Sequence, residues 1–173
     1  MLPLAQSFLD KQPDRKADYY CSLTYEERFL RRRKLITDCG QSFVVDLPKT
    51  SDLKQGDCLS LSDGKSVEIC ARAEKLMSIK AKNLVSLAWH IGNRHMPCQI
   101  EADRLLICQD HVMKDMINLL GGSIEIVIEP FTPEGGAYGM GRTHSHDHGN
   151  VGQFHIHDVK ETHQHNHDHK HVP

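Results

Sequence analysis

The chain has 173 residues, of which 39% are hydrophobic, and a formal net charge of -2 at pH 7. This length allows one or two domains, and the nearly balanced charge gives no general attraction to nucleic acid. No segment approaches the roughly 18 apolar residues of a membrane span, and residues 1–12 contain no sustained apolar stretch. We therefore expect a cytoplasmic protein that binds neither membranes nor nucleic acid.

Short strands joined by turns are predicted for the first half of the chain. One hairpin covers residues 29–37 and returns over residues 43–47, where Pro48 ends it. A second hairpin joins residues 58–61 to residues 67–71 across a turn that contains Asp and Gly. The pattern predicts an all-β domain. The side chains expected to share the buried face of the first hairpin are Phe29, Leu35, Phe43, Val45 and Leu47.

A dense basic run, residues 31–34, falls within the first predicted hairpin. Arg31 and Arg33 interrupt its apolar face, which suggests that this end of the hairpin is solvated. A nucleic-acid surface normally has more cations or aromatic platforms around it, whereas Glu26 and Glu27 lie just upstream. A solvated strand is the favoured interpretation, and a protein-docking surface is the alternative.

After Arg72 the pattern changes to alternating strands and helices. Asn83 and Asp110 are candidate N-caps for two helices, and Gly92 and Gly121 are placed to end them. The apolar stripe predicted for the second helix is Val112, Met113, Met116, Leu119 and Leu120. The predicted elements are a strand at 74–81, a helix starting at Leu84, strands at 98–101 and 105–108, a helix at 111–120 and a strand at 123–129 that Pro130 stops. Their order, βαββαβ, is ferredoxin-like, and the fold class is α+β.

Six cysteines are spread along the chain without a C-x-x-C pair. Their spacing matches no zinc knuckle, and several lie within apolar runs, so reduced and mostly buried thiols are expected instead of a disulfide framework or a cysteine zinc site.

The C-terminal segment, residues 141–173, is polar and contains ten of the 13 histidines. Most recur at every second residue, so in an extended chain two or three imidazoles can converge on one transition-metal ion. Zinc, copper, nickel and iron all suit imidazole, and composition alone does not choose among them. The alternatives to metal binding are a purification tag and an inert tail, but other residues interrupt the histidine runs, which argues against a tag. The candidate ligands are His144, His146, His148, His155, His157, His163, His165, His167, His169 and His171.

Several motifs in order resemble the UreE-type urease accessory proteins, which are nickel metallochaperones. They are residues 90–95, residues 110–113 and the Gly-rich residues 130–139 ahead of a histidine-rich tail, with weaker matches at residues 28–33, 46–48, 53–57 and Glu74. The resemblance spans nearly the whole chain. We accordingly predict three parts: an N-terminal β domain at 1–73, a ferredoxin-like domain at 74–140, and a flexible metal-binding tail at 141–173.

The resemblance implies a homodimer joined through the ferredoxin-like domains, in which His111 meets its symmetry mate and binds Ni(II). Because nickel commonly takes four to six nitrogen or oxygen ligands, tail histidines must complete the site, with His144 and His146 the first able to reach it. His148 and later histidines would hold further ions more weakly. Zinc or copper could occupy the same sites, and two metal-loaded dimers could combine.

The resemblance further implies delivery of nickel to the urease apoprotein complex through an accessory GTPase, with the N-terminal β domain as a docking surface.

His90 and His95 are predicted to be structural, because five residues on a helix separate them by about 140°, and Arg94 is expected to cap the helix end or pair with a carboxylate.

No catalytic or phosphate-binding motif is present in the sequence, so we expect no enzymatic activity. The main alternative function is a nickel or zinc store that acts through its tail.

Overall fold

The computed structural model describes residues 2–12 and 16–135. Its strands form two sheets, one of six strands between Leu4 and Ala71 and one of four strands between Ala73 and Pro130. Each α-helix in these ranges has nine residues, and neither could cross a membrane. All six cysteines are free thiols; Cys21 and Cys58 are buried, and Cys39 is exposed.

The first sheet has the strand order β2-β6-β5-β1-β4-β3. Its core contains side chains with no more than 1% exposure, among them Phe43, Val45, Leu59 and Ile69. The alternation of apolar and polar residues explains why one face of each strand packs inward. The strands are β1 (Leu4–Leu9), β2 (Tyr19–Leu23), β3 (Phe29–Ile36), β4 (Ser42–Asp52), β5 (Cys58–Leu61) and β6 (Ser66–Ala71), with a 3₁₀ turn at Glu26–Arg28.

Both predicted hairpins are confirmed, but Pro48 does not end β4, which continues to Asp52. The register between β3 and β4 shifts between Leu30 and Arg32, and Pro48 lies in the stretch of β4 that this irregularity leaves out of register. Proline is tolerated at such bulges because no ladder hydrogen bond is required of it there. Because of this irregularity Leu30 and Leu35 are both buried although they lie five residues apart, and the prediction that Phe29 shares the buried face is wrong, since Phe29 is only partly buried.

Strand β1 is absent from the predicted elements. It lies between two strands, running parallel to β4 and antiparallel to β5. Strand β2 likewise pairs in parallel with β6. Parallel pairs join segments that are distant in sequence, so a search for hairpins does not find them.

The second sheet has the strand order β10-β7-β9-β8. In the sequence, one helix follows the first of these strands and the other helix precedes the last. This arrangement confirms the ferredoxin-like βαββαβ prediction. The elements are β7 (Ala73–Lys80), α1 (Leu84–Gly92), β8 (Gln99–Ile100), β9 (Leu105–Cys108), α2 (His111–Leu119) and β10 (Ser123–Pro130).

Both helices begin at the predicted N-caps. The Asn83 side chain accepts a hydrogen bond from the Ser86 amide at 3.0 Å, and the Asp110 carboxylate accepts one from the Met113 amide at 2.8 Å. The guanidinium of Arg94 donates to the carbonyl oxygen of His90 at 3.1 Å and so caps the end of α1. These contacts satisfy backbone groups that the helix ends leave without partners.

The apolar stripe predicted for α2 is partly wrong. Met113 and Ile117 are the buried residues of this helix, whereas Val112 is 56% exposed and Leu119 is 87% exposed. At about 100° per residue, Ile117 lies about 40° from Met113 around the helix axis, but Val112 and Leu119 lie about 100° and 120° away. Leu120, which follows the helix, is 42% exposed, so three of the five predicted stripe residues remain on the surface and the helix packs through a narrower face than its composition suggests.

A separate apolar cluster joins the two sheets. It consists of Tyr25, Leu76, Leu106 and Phe131, with the Tyr25 and Phe131 rings edge to face at 5.3 Å between centroids. The Tyr25 amide donates to the Glu74 carboxylate at 2.8 Å, and the buried Arg28 guanidinium donates to the Phe131 carbonyl oxygen. Apolar burial and hydrogen bonding to a charged group thus connect the 3₁₀ turn to the start of β7 and the end of β10.

After β10 the chain crosses to the opposite edge of the second sheet. Phe131 packs over the central strands, the Thr132 amide donates to the Gln99 side-chain oxygen at 2.7 Å, and the Glu134 amide donates to the Cys98 carbonyl oxygen at 2.9 Å. Because β10 and β8 are the two edges of this sheet, residues 131–134 span its width on the face away from the helices.

Candidate metal-binding site

His111 is the first residue of α2, and its side chain is exposed. It occupies this position because β9 ends at Cys108 and Asp110, in an extended conformation, starts the helix by capping it. A residue in the first turn of a capped helix has a fixed backbone, so its side chain projects from a defined point. The structure therefore places His111 on the surface of the helix start, as the sequence predicts.

His111 borders a surface hollow of about 530 Å³ between α2 and β10. On the helix side, His111, Lys114 and Asn118 lie at positions i, i+3 and i+7, which share one face of a helix. Apolar side chains from β7 and β10 complete the wall. The lining residues are Met77, Gln109, Asp110, His111, Lys114, Asn118, Ile124 and Ile126.

The strand beside the hollow leaves apolar side chains in solvent. β10 is an edge strand, and its Ile126 and Ile128 are 51% and 66% exposed. Val112 on α2 is also exposed. Exposed apolar edge strands promote pairing with another chain unless charges, bulges or proline protect them. The His111 face thus combines a hollow of polar and apolar lining with an uncovered apolar strand.

The described residues do not form a complete metal site around His111. Between residues 2 and 135, apart from the omitted residues 13–15, no three histidine, cysteine or acidic side chains are grouped closely enough to hold an ion. Asp110, the nearest carboxylate in sequence, is engaged as the cap of α2. Metal binding at His111 consequently requires ligands from elsewhere.

His90 and His95 do not line the hollow. The His90 ring packs edge to face against Trp89 with 4.9 Å between centroids, and His95 is exposed with a left-handed backbone at φ 56°. His90 thus has a ring partner and His95 lies in the turn after α1, and the structural role expected of both stays a prediction.

The predicted tail ligands lie outside the described residues, and their grouping with His111 stays a prediction. They are His144, His146, His148, His155, His157, His163, His165, His167, His169 and His171.

Sequence reasoning found His111 but did not identify the residues that share its hollow. Lys114 and Asn118 follow from helical spacing alone, since they lie one and two turns beyond His111 on the same face. Ile126 could not be found in this way, because its position depends on the pairing of β10 with β7, where it lies opposite Met77.

The fold and the hollow define a class of protein: an α+β chain with a β domain followed by a ferredoxin-like domain that carries an exposed histidine on an uncovered face. Two family models match, described as the N-terminal domain of the UreE urease accessory protein over residues 5–72 and its C-terminal domain over residues 74–171. The chain belongs to the UreE urease accessory protein family.

Individual relatives support this assignment. The chain is 53% identical over 133 residues to the urease accessory protein UreE of Ruegeria pomeroyi, covering 77% of this chain and 89% of the relative. It is 49% identical over 138 residues to the UreE of Rhodobacter capsulatus, covering 80% and 86% respectively. With the UreE of Paracoccus denitrificans it shares 47% identity over 143 residues, covering 83% and 91%.

Proposed function

We propose that this protein is a cytoplasmic nickel metallochaperone of urease maturation. A homodimer holds Ni(II) between two His111 side chains, with help from tail histidines, and delivers it to the urease apoprotein complex through an accessory GTPase. The observation that carries this proposal is the position of His111, exposed at a hollow beside an uncovered apolar edge strand.

The apolar edge supports a dimer through this face. A two-fold interface uses the same surface on both chains, so Ile126 and Ile128 of one chain would be covered by the same patch of the other. Such an interface removes an exposed edge strand from solvent. It also places two copies of His111 on one interface, where the described lining of a single hollow supplies one imidazole.

Two imidazoles leave coordination positions open on nickel, which water can occupy and which the histidine-rich tail of the same chain can fill. His144 and His146 are the first candidates because they are the first histidines of the tail in chain order. The later histidines would gather further ions. Zinc and copper also bind imidazole, so they are competing cargoes for the same groups.

Cys21 and Cys98 are poor candidates for this task. Burial raises the pKa of both Cys21 and Cys98 to about 11, so these thiols stay protonated at neutral pH. Metal binds the thiolate and not the thiol. Imidazole ligands, which exchange through protonation or transfer to a partner, suit a protein that must release its cargo.

A nickel or zinc store is the second candidate function, favoured by ten histidines in one segment of 33 residues, 141–173. A store holds ions through its tail and does not need His111 or a partner. A chaperone needs His111 for transfer. The two functions therefore differ in the effect of one substitution.

Calorimetric nickel titration and urease activation separate them. Three full-length proteins are compared: the unchanged chain, His111→Ala, and a tail variant with all ten tail histidines replaced by glutamine; His95→Ala is the matched control. The proposal expects the tail variant to retain about one tight nickel per two chains, and His111→Ala to remove this site and slow urease activation. If His111→Ala leaves both measurements unchanged, the store is the better description.

A further inference from the structure

The hollow at His111 contains a fixed positive charge that nickel binding does not require. We propose that Lys114 weakens metal binding at this site and thereby keeps the nickel releasable. This inference rests on the proposed function and deepens it, because it names the residue that sets how tightly the His111 site holds its cargo.

Geometry puts Lys114 on the same wall as His111. The two residues are three positions apart on α2 and both line the hollow, with Asn118 one turn further along. The Lys114 side chain is exposed and forms no ion pair within the described part of the chain. Its ammonium group is thus not held in a close ion pair with any described carboxylate.

The charges that line the hollow balance to zero. Among its described lining residues, Asp110 carries the negative charge and Lys114 the positive one. The Asp110 carboxylate accepts the Met113 amide and is directed to the start of the helix. Without Lys114, each chain would present one uncompensated carboxylate, and a two-fold pair would present two, which would attract a divalent cation strongly.

An ammonium group opposes a dication without becoming its ligand. A protonated lysine has three hydrogen-bond donors and no acceptor, so it repels the ion and offers no coordination in return. Hard cations such as Mg²⁺ and Ca²⁺ depend on carboxylate oxygens, so the lysine charge weakens their binding most. An ion held by neutral imidazoles still binds, but more weakly, so it transfers more readily to a partner.

The test measures nickel affinity in the full-length tail variant, so that the His111 site is observed without the tail histidines. Lys114→Gln removes the charge and keeps a polar side chain, and Lys82→Gln is the control, since Lys82 is exposed next to α1 and does not line the hollow. We expect Lys114→Gln to tighten nickel binding about tenfold at about 50 mM salt and to slow nickel release to a chelator by a similar factor. The increase in nickel affinity should be smaller at about 300 mM salt, and Lys82→Gln should change neither the affinity nor the release rate.

A double-mutant cycle and ultracentrifugation complete the test. When His111→Ala is also present, Lys114→Gln should have no effect on nickel binding, because the site itself is lost. Unchanged or weaker binding by Lys114→Gln, with His111 still required, overturns the role of Lys114 and leaves the proposed function standing. Weaker self-association by Lys114→Gln makes the lysine an interface contact and also overturns the inference. Loss of the His111 dependence in the tail variant instead overturns the proposed function.

Discussion

Arg104 pairs with two carboxylates, those of Glu101 and Glu129. Its guanidinium donates to Glu101 at 2.6 Å and forms two hydrogen bonds with Glu129, at 3.0 and 2.7 Å. Gln99, which receives the Thr132 amide, also donates to Glu101 at 2.7 Å. One arginine thus connects the start of β9, the end of β10 and the segment that follows it. Bidentate arginine–carboxylate pairs of this kind fix the relative orientation of the two groups in addition to pairing their charges.

The pairing predicts a pH dependence of stability. The hydrogen bonds from Arg104 hold the pKa of Glu129 below its ordinary value of 4.5. A lowered folded-state pKa gives stability that is complete above the ordinary value and is lost as the pH falls through the folded-state value. We expect Glu129→Gln to lower the free energy of unfolding at pH 7, and the difference from the unchanged protein to narrow below about pH 4. Urea unfolding at a series of pH values measures it.

Glu125→Gln is the matched control for this prediction, because Glu125 is exposed on the same strand and forms no ion pair within the described residues. A difference for Glu129→Gln that stayed constant from pH 7 to about pH 3 would show that the ion pair is not its cause.

At the scale of elements, β10 serves two surfaces at once. It pairs with β7 along its whole length, from Ser123 to Pro130, yet its outer edge has no partner in the described chain. Ile124 packs partly against the core, whereas Ile126 and Ile128, further along the same face, reach beyond the cover of α2. The strand is therefore well fixed but incompletely buried, which suits a surface that another chain covers.

This arrangement predicts that charge on β10 prevents self-association without unfolding the chain. Ile126→Asp places a carboxylate where the proposed dimer buries an isoleucine, and an unpaired buried charge is strongly unfavourable. We expect the variant to be monomeric by sedimentation velocity at concentrations where the unchanged protein is dimeric. Its circular dichroism spectrum should be unchanged, because Ile126 is already half exposed.

Val85→Asp is the control, since Val85 is 82% exposed on α1, away from the hollow. Equal loss of association in both variants would place the interface elsewhere.

How far the sequence predicts these elements depends on whether their signals are local. The caps at Asn83 and Asp110 were predictable because a side chain three residues from its partner fixes each helix start. The first strand, at residues 4–9, was not, because its neighbours in the sheet lie far along the chain. The exposure of Val112 and Leu119 also could not be predicted from composition, since it depends on where the sheet lies relative to α2.

The residues of the candidate site also differ in whether a local sequence signal predicts them. His111 follows from a motif and a helix start, and Lys114 follows from helical spacing. The hollow itself arises from the pairing of β10 with β7, which brings Ile126 beside α2, and no local pattern indicates this.

At the scale of the whole molecule, Phe131 is the residue on which the junction depends. It is fully buried although it follows a strand-ending proline, where the sequence pattern indicates only a loop. It contacts Tyr25 from the first sheet and packs with Leu76 and Leu106 from the second. Its burial connects the metal-binding half of the proposed mechanism to the half proposed to dock a partner.

We expect Phe131→Ala to weaken the connection between the two sheets. Removing a fully buried phenylalanine ring typically costs about 3 to 5 kcal/mol. Because the lost contacts join the sheets, hydrogen exchange should show that protection of the two sheets becomes separable. The matched control is Phe43→Ala, a ring buried within the first sheet alone, which should lower stability without that separation. A loss below about 1 kcal/mol for Phe131→Ala would contradict the prediction.

The path of residues 131–134 has a mechanical consequence. Any tension applied to the chain beyond Gly135 enters the fold through the hydrogen bonds of Glu134 to Cys98 and of Thr132 to Gln99, at the β8 edge. The buried Phe131 ring and the Arg28 contact to its carbonyl oxygen lie between that point and β10. A pull on the C-terminal segment is therefore borne by the far edge of the sheet and by the junction before it reaches β10, so the strand beside His111 is shielded from the load.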